Sequence, residues 1–578
     1  MLDLSEFKKK FDNLDSKGID EYQIAKEIWD KNAKGDTFYE GLAFEFGEYP
    51  DGDGWGHFYG YQSAITLTNG KVYTNIAESV ITEDAIKYWQ GRIATSVSPI
   101  FKARFAGLVT DFGKRFDIKP NATLIDSFIN ALVDIIKGNY CSDYGITKKI
   151  DILIKVATSW TKDENLKNKV VETILSCLES YVKLKKSGVG SIFKSIMGSE
   201  LFTNAQKEKA TRIVESLFKE IRDTQNNPWL LEDTATLLAD AYGKGDARIL
   251  PLFKDVEIAF KKVSKGVTGF QAQGWLQLVE KLYRKYGYKD EADRILAKIA
   301  GMGKRTLEGL QTFAQTFTIP KEKIEAFFAS VHDSSLYGTP LENLVMFMIP
   351  DEKQAEVTLK ESIKKDPLPF IMTTQLLDDK GRPLSVVGPI GDSDENSDIS
   401  GHLVLEISKQ LQFLSFYLNL GFKELKKEGF FNSIVVKQLY RKCPLFEEAR
   451  YSVIDEAVIQ YFIGNHLVFA HLMIPQIENA LRSMLELMGV STLKPQQGGK
   501  GNTLKTLDAV LREPKLEEVL KYDLVNYLRI LLTDQRGWNL RNRVCHGMMS
   551  PNRFTYVTSD RIMHAFLLLC QVKLMNDV

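Results

Sequence analysis

Two arginines, an amide and a histidine fall within six residues near the C-terminal end of the chain, in Trp538-Asn539-Leu540-Arg541-Asn542-Arg543-Val544-Cys545-His546-Gly547. Histidine exchanges a proton near neutral pH, and arginine is a fixed cation whose planar fork matches phosphate. Together they suit cleavage of a phosphodiester in RNA. One group handles the proton of the ribose 2′-hydroxyl while others hold the charge that builds up on the phosphate oxygens. Such chemistry calls for no metal and no cofactor, because the nucleophile is already in the substrate. Asn542 and His546, four apart, share a helix face. Arg541 and His546 are five apart, about 140° around an ideal helix, an angle that a long arginine wraps. Gly547 stands where a left-handed C-cap residue is wanted, so His546 is expected in the last turn, where the helix dipole favours a protonated imidazole. From Arg529 to Arg553 there are five arginines against one acid, Asp534, in a chain of zero net charge. Arg536, Arg543 and Arg553 are therefore expected to add phosphate contacts around Arg541. The bland alternative is that these arginines complement a helix end and the histidine caps carbonyls.

The elements that must position the motif are helical. Residues 1–40 read as helix, with Leu4, Phe7, Phe11 and Leu14 at three- and four-residue spacing. Ser63 to Leu67, Thr68-Asn69-Gly70 and Lys71 to Tyr73 read as a hairpin closed by an Asn-Gly turn, the one good strand signal in the chain. Asp51 and Asp53 resemble the start of a calcium loop, but Trp55 replaces an oxygen ligand and no bidentate glutamate follows, so a turn is expected. Thr82 is expected to cap a helix, followed by Glu83 and Asp84 in its first turn. Residues 168–184 carry a clean apolar stripe. Between about 228 and 300 an Ala/Tyr-Gly pattern ending at Tyr242-Gly243 returns at Tyr286-Gly287, 44 residues on, a spacing that suits stacked helix pairs of a solenoid. Residues 383–401, rich in Gly, Ser and acid, read as a linker. Beyond it come a helix through Leu403–Leu418 and a long one from Ser452 to Met488 with a kink or restart at Pro475. A glycine-rich loop over 495–502, short helices over 503–512 and 515–534, the motif, and a last helix over 559–575 complete a bundle.

The whole is expected to be mainly α and multi-domain. An N-terminal α domain with a β-hairpin (1–150) precedes a repeat-like helical middle (151–382), the linker (383–401) and a helical bundle (402–578). At 26% charged and 44% hydrophobic, the 578 residues have the balance of a folded globular protein, not a disordered one. Five scattered cysteines, none spaced C-x-x-C, argue for a reducing compartment and against structural zinc. No apolar run approaches the roughly 20 residues of a membrane span, so a cytoplasmic protein without membrane contact is expected. There is no Walker A sequence, H-E-x-x-H or G-x-S-x-G. His466 and His471 are expected as satisfied core histidines. Cys545, among arginines, is expected to have a lowered thiol pKa.

The run Arg541-Asn542-x-x-x-His546-Gly547 on a late helix of a helical bundle resembles the signature of the HEPN superfamily. In particular it resembles an uncharacterised domain family defined by an RNxxxHG sequence. Ile474-Pro475-Gln476-Ile477-Glu478 with Leu481-Arg482 resembles that family's preceding helix, and Thr95-Ser96-Val97-Ser98-Pro99 leading to Arg104-Phe105-Ala106 resembles its N-terminal part. The resemblance covers about the last 180 residues well and the rest loosely. It implies a metal-independent endoribonuclease that leaves a 2′,3′-cyclic phosphate and a 5′-hydroxyl, acting as a toxin or anti-phage defence effector. Arg541 would stabilise the transition state, His546 would be general acid/base and Asn542 would orient the site. Glu478 and Arg482 would support them, as orienting groups or as an internal ion pair. The resemblance also implies RNA as partner, a homodimer with a composite site, and room for a regulatory protein. The alternatives are a non-catalytic module binding RNA or nucleotide, and a helical interaction scaffold.

Overall fold

The computed structural model describes residues 33–573 apart from 51, 53, 67–71, 225–226, 312–317, 392–396, 497–498 and 500. The protein is mainly α, with strands only as four two-stranded antiparallel sheets among the described residues. Two compact units are formed by Met1–Val267 with Gly274–Leu296, and by Thr268–Gln273 with Ala297–Val578. Most of the helix expected over 1–40, and the Asp51/Asp53 turn, lie outside the described residues; Asp36–Leu42 is helical.

In the first unit, local signals set the helix ends. Thr82 accepts from the Ala85 amide and starts Glu83–Thr95. Pro99 opens Pro99–Phe112, where its missing N–H costs nothing. In Glu164–Leu184 the expected stripe from Val170 to Val182 is buried. The expected hairpin is present as Ala64–Thr66 paired with Val72–Thr74, its turn lying outside the described residues. A second ladder, Phe46–Glu48 with Tyr59–Tyr61, carries no strand signal because each strand has glycine at its centre. Those glycines are required by crowding: a Cβ on Gly47 would stand 2.8 Å from the Tyr61 carbonyl oxygen. The 44-residue echo corresponds to two helix–glycine–helix turns. Gly243 (φ 84°) joins Pro228–Tyr242 to Ile249–Val263, and Gly287 (φ 90°) joins Gly269–Lys285 to Lys289–Gly301. Each echoed tyrosine reaches a carboxylate on an earlier helix, Tyr242 to Glu215 and Tyr286 to Asp240.

The second unit departs from the expected boundaries. Its core includes Val331, Leu344, Val345 and Met348 alongside residues of the C-terminal helices, so it extends well upstream of His402. The first five residues of the expected linker form a strand, Pro383–Val387, paired with Thr374–Leu377. The described residues at either end of the rest are joined: Gly388 donates to Asp398 Oδ2 at 3.0 Å, and its carbonyl meets His402 Nε2 at 2.9 Å. Asp398 also caps the 29-residue helix Ile399–Lys427. The expected long helix is two, Tyr451–Phe462 and His466–Leu487. They part at Gly464, whose φ of 82° no helix residue adopts, and the chain continues helically through Pro475. The glycine-rich loop joins two further short strands, Leu493–Pro495 and Asn502–Leu504. Leu507–Leu511, Pro514–Leu520 and Tyr522–Leu532 lead to the motif. The last helix, Tyr556–Leu569, is buried at every position from Thr558 onward and forms the centre of the unit.

Candidate functional site

The motif helix is short, Leu540–Cys545, and is held at both ends. At its start Asn539 takes a left-handed conformation (φ 53°, ψ 34°) and accepts from Asn542 Nδ2 at 2.7 Å. The approach needs Gly537, where a Cβ would stand 2.5 Å from the Ile530 carbonyl oxygen. At its end His546 is the C-cap residue and Gly547 is left-handed (φ 62°), as its position implies. The Gly547 amide donates to Val544 and the Met548 amide to Arg543, the paired bonds of a Schellman stop. Leu540 and Val544 anchor the helix in the core.

Arg541, Asn542 and His546 line one cleft of about 620 Å³ together with Arg536. Its other walls come from elements that the motif does not announce: Ser385 on the hairpin, Asp508 and Arg512 around Leu507–Leu511, and Thr533. Asp508 and Arg512 were legible only as an i,i+4 helix pair, bonded at 2.8 Å. His546 is exposed, and its imidazole has no hydrogen-bond partner among the described residues. Arg541 donates from Nε to Glu478 Oε2 at 2.9 Å and from Nη1 to Asn542 Oδ1 at 3.1 Å. Glu478 accepts on its other oxygen from Arg482 at 2.7 Å. It is thus both an orienting group and a partner in an ion pair. Burial pushes the Glu478 carboxyl up, but Arg482 and Arg541 together hold it below the usual range.

The other expected phosphate contacts are placed differently. Arg536 lines the cleft but is paired with Asp534 at 3.2 Å and lies 3.6 Å from Asp398. Arg543 is not part of the cleft wall. It donates to Asp379 Oδ1 at 2.7 Å, and Asp379 Oδ2 accepts from the Ser550 amide at 2.9 Å. Arg553 is exposed in the turn Pro551–Arg553 and is not part of the wall either. The local arginine excess in the sequence is therefore offset in space by Glu478, Asp379 and Asp398. Cys545 also departs from expectation: the residue is exposed, yet desolvation raises its thiol pKa, Glu478 adds to this, and Arg541 offsets only part. His466 and His471 each have one nitrogen engaged, by Ser559 Oγ and the Leu467 carbonyl, but neither lies in the core, and His471 is exposed and stacked on Phe554.

No group of three or more His, Cys, Asp or Glu placed to hold a metal ion occurs among the described residues, and no helix there is long and apolar enough to cross a membrane. No protein-family model matches the chain, and no curated protein matches it.

Proposed function

We propose that the C-terminal unit is an endoribonuclease of the HEPN type that cleaves RNA without a metal. The 2′-hydroxyl gives its proton to His546 and attacks the adjacent phosphorus. The 2′-oxygen–phosphorus bond forms, the bond to the 5′-oxygen breaks, and the departing oxygen takes a proton back from the His546 imidazolium, leaving a 2′,3′-cyclic phosphate, a 5′-hydroxyl and a neutral ring. Arg541 holds the phosphate charge in the transition state. The observation that carries this reading is that Arg541, Asn542 and His546 share one cleft, with the imidazole unengaged. Glu478 and Asn542 fix two nitrogens of the Arg541 guanidinium, and its Nη2 has no partner among the described residues. A scaffold whose motif merely ends a helix fits less well, because Arg541 bonds the side chains of Glu478 and Asn542 rather than backbone carbonyls. A second copy facing the first would add a second histidine, a role of toxin or defence effector being the biological form of the same proposal.

The test is cleavage of a single-stranded RNA by the full chain in the presence of a chelator. We expect cyclic-phosphate ends, and a loss of about 10²–10⁴-fold in rate for His546→Ala and for Arg541→Ala. Full cleavage by either variant refutes the assignment. Salt-sensitive RNA binding without cleavage by the wild type identifies a binding module instead.

A further inference from the structure

The second unit holds another cavity, of about 260 Å³, that shares no lining residue with the motif cleft. Asp560, 4% exposed, belongs to its lining. Its two oxygens accept from Tyr461 Oη at 2.7 Å and from Asn419 Nδ2 at 2.8 Å. Both partners are neutral donors, and an ionised carboxylate offers about four acceptor positions, so each oxygen keeps room for another donor. His466 engages Ser559 through Nδ1 at 3.0 Å, which leaves its Nε2 for the cavity it lines. Lys423 and Lys426, one turn apart on Ile399–Lys427, complete the polar lining. They rest over the rings of Tyr556 and Phe462, and neither has a carboxylate within ion-pair distance among the described residues. The contrast with the motif cleft is direct, since Arg512, Arg536 and Arg541 there are each paired with an acid.

Two ammonium groups without an ion-pair partner, only one of them offset at longer range by Asp560, call for an anion, while the desolvated carboxylate calls for neutral donors. A ligand satisfying both must carry a phosphate and closely spaced hydroxyls on one small frame. We propose that this cavity binds a phosphorylated sugar, with vicinal hydroxyls donating to Asp560 and the phosphate held by Lys423, Lys426 and His466. Its volume lies below the roughly 300–1,000 Å³ of pockets that enclose drug-sized ligands, which suits a sugar phosphate. The same group occurs as a free sugar phosphate and as the ribose phosphate of a mononucleotide, whose base would extend past Phe462 and Ile463.

Calorimetric titration of the full chain tests this with four probes: ribose 5-phosphate, adenosine 5′-monophosphate, n-propyl phosphate and inorganic phosphate. One-to-one binding is expected for at least one of the first two, and the tighter of them identifies the source. n-Propyl phosphate, which lacks the hydroxyls, should bind at least about tenfold more weakly, the worth of a charge-assisted hydrogen bond. The double variant Lys423→Ala/Lys426→Ala changes only exposed side chains and should weaken binding at least about tenfold as well. No binding of either sugar phosphate at millimolar concentration overturns the proposal. So does equal binding of n-propyl or inorganic phosphate, or a lysine variant that binds as the wild type does. Loss of binding in His546→Ala with retention in the lysine variant would place the ligand in the motif cleft and also overturns it.

Discussion

Two arginine–histidine pairs stand on neighbouring segments of the C-terminal unit, in opposite surroundings. Arg541 and His546 line an open cleft, the arginine steadied by a carboxylate and the imidazole unengaged. Arg561 and His564 are both fully buried in the last helix. Arg561 donates to Ser415 Oγ at 2.8 Å, the Met348 carbonyl at 2.9 Å and the Leu411 carbonyl at 3.1 Å, so a buried cation rests on three neutral acceptors. His564 lies between Tyr527 Oη at 2.7 Å and the Val345 carbonyl at 2.8 Å. The carbonyl can only accept, so Nε2 carries a proton, and burial keeps the ring neutral, with Nδ1 accepting from the Tyr527 hydroxyl. Residue type is the same in both pairs. What separates the two pairs is access to solvent and whether the partners leave a group free.

Replacing Arg561 by methionine breaks the comparison most severely. The Met348 carbonyl and Ser415 Oγ lose the guanidinium they accept from, at about 1–3 kcal/mol each before relaxation, while the Leu411 carbonyl keeps the Ser415 hydroxyl, and a net loss of roughly 2–5 kcal/mol is expected for the unit. Arg541→Met removes a partly buried ion pair whose carboxylate keeps Arg482, and should cost about 1–2 kcal/mol. Denaturant unfolding followed at Trp538, which belongs to this unit, separates the two. Equal losses would mean that the motif arginine is structural.

The histidines differ in their response to acid. Burial pushes His564 down to about 3, and neighbouring Arg561 adds to the effect. The unfolded chain takes up this proton near pH 6.5 and the folded one refuses it until about pH 3. His564 therefore contributes stability above pH 6.5 that is lost progressively as the pH falls through that window. The loss reaches about 3 kcal/mol by pH 4. Protection of the amides in Tyr556–Leu569, corrected for the intrinsic slowing of exchange in acid, should fall accordingly, and His564→Gln should flatten the slope. An unchanged slope in that variant would show that other groups carry it.

The sequence made the motif legible because its determinants are local. The helix stop at Gly547 and the Glu478–Arg482 pair follow from spacings of a few residues. The Asp508 and Ser385 walls and the acids that offset the arginine excess do not, since they meet the motif only when the fold closes. A charge excess along the chain is one-dimensional and overstates a basic surface whenever distant carboxylates pack beside it, as Asp379 does across 164 residues. The break at Gly464 was obscured by Pro475, because proline removes one helix bond whereas a φ of 82° leaves the helix altogether. The buried Arg561 and His564 carry no apolar signal, so the last helix was foreseen but its central place was not. The short strands were hidden by glycines and by their three- to five-residue length.

The smallest expected effect is the most discriminating for the site. Asp379, at the turn of the hairpin whose second strand carries Ser385, bridges the Arg543 guanidinium and the Ser550 amide. These two flank His546, so the hairpin turn fixes the segment that presents the imidazole. If cleavage proceeds as proposed, Asp379→Ala should lower kcat about tenfold through misplacement, with KM nearly unchanged. Amides 547–550 should then exchange faster with solvent. Arg543→Ala should do the same, and the double variant should be no worse than either single one, because both remove one bridge. An arginine that instead gripped the phosphate would raise KM when removed, and its loss would multiply with that of Asp379. The double-variant cycle thus decides whether Arg543 belongs with Arg541, facing the substrate, or with Arg561, holding the structure.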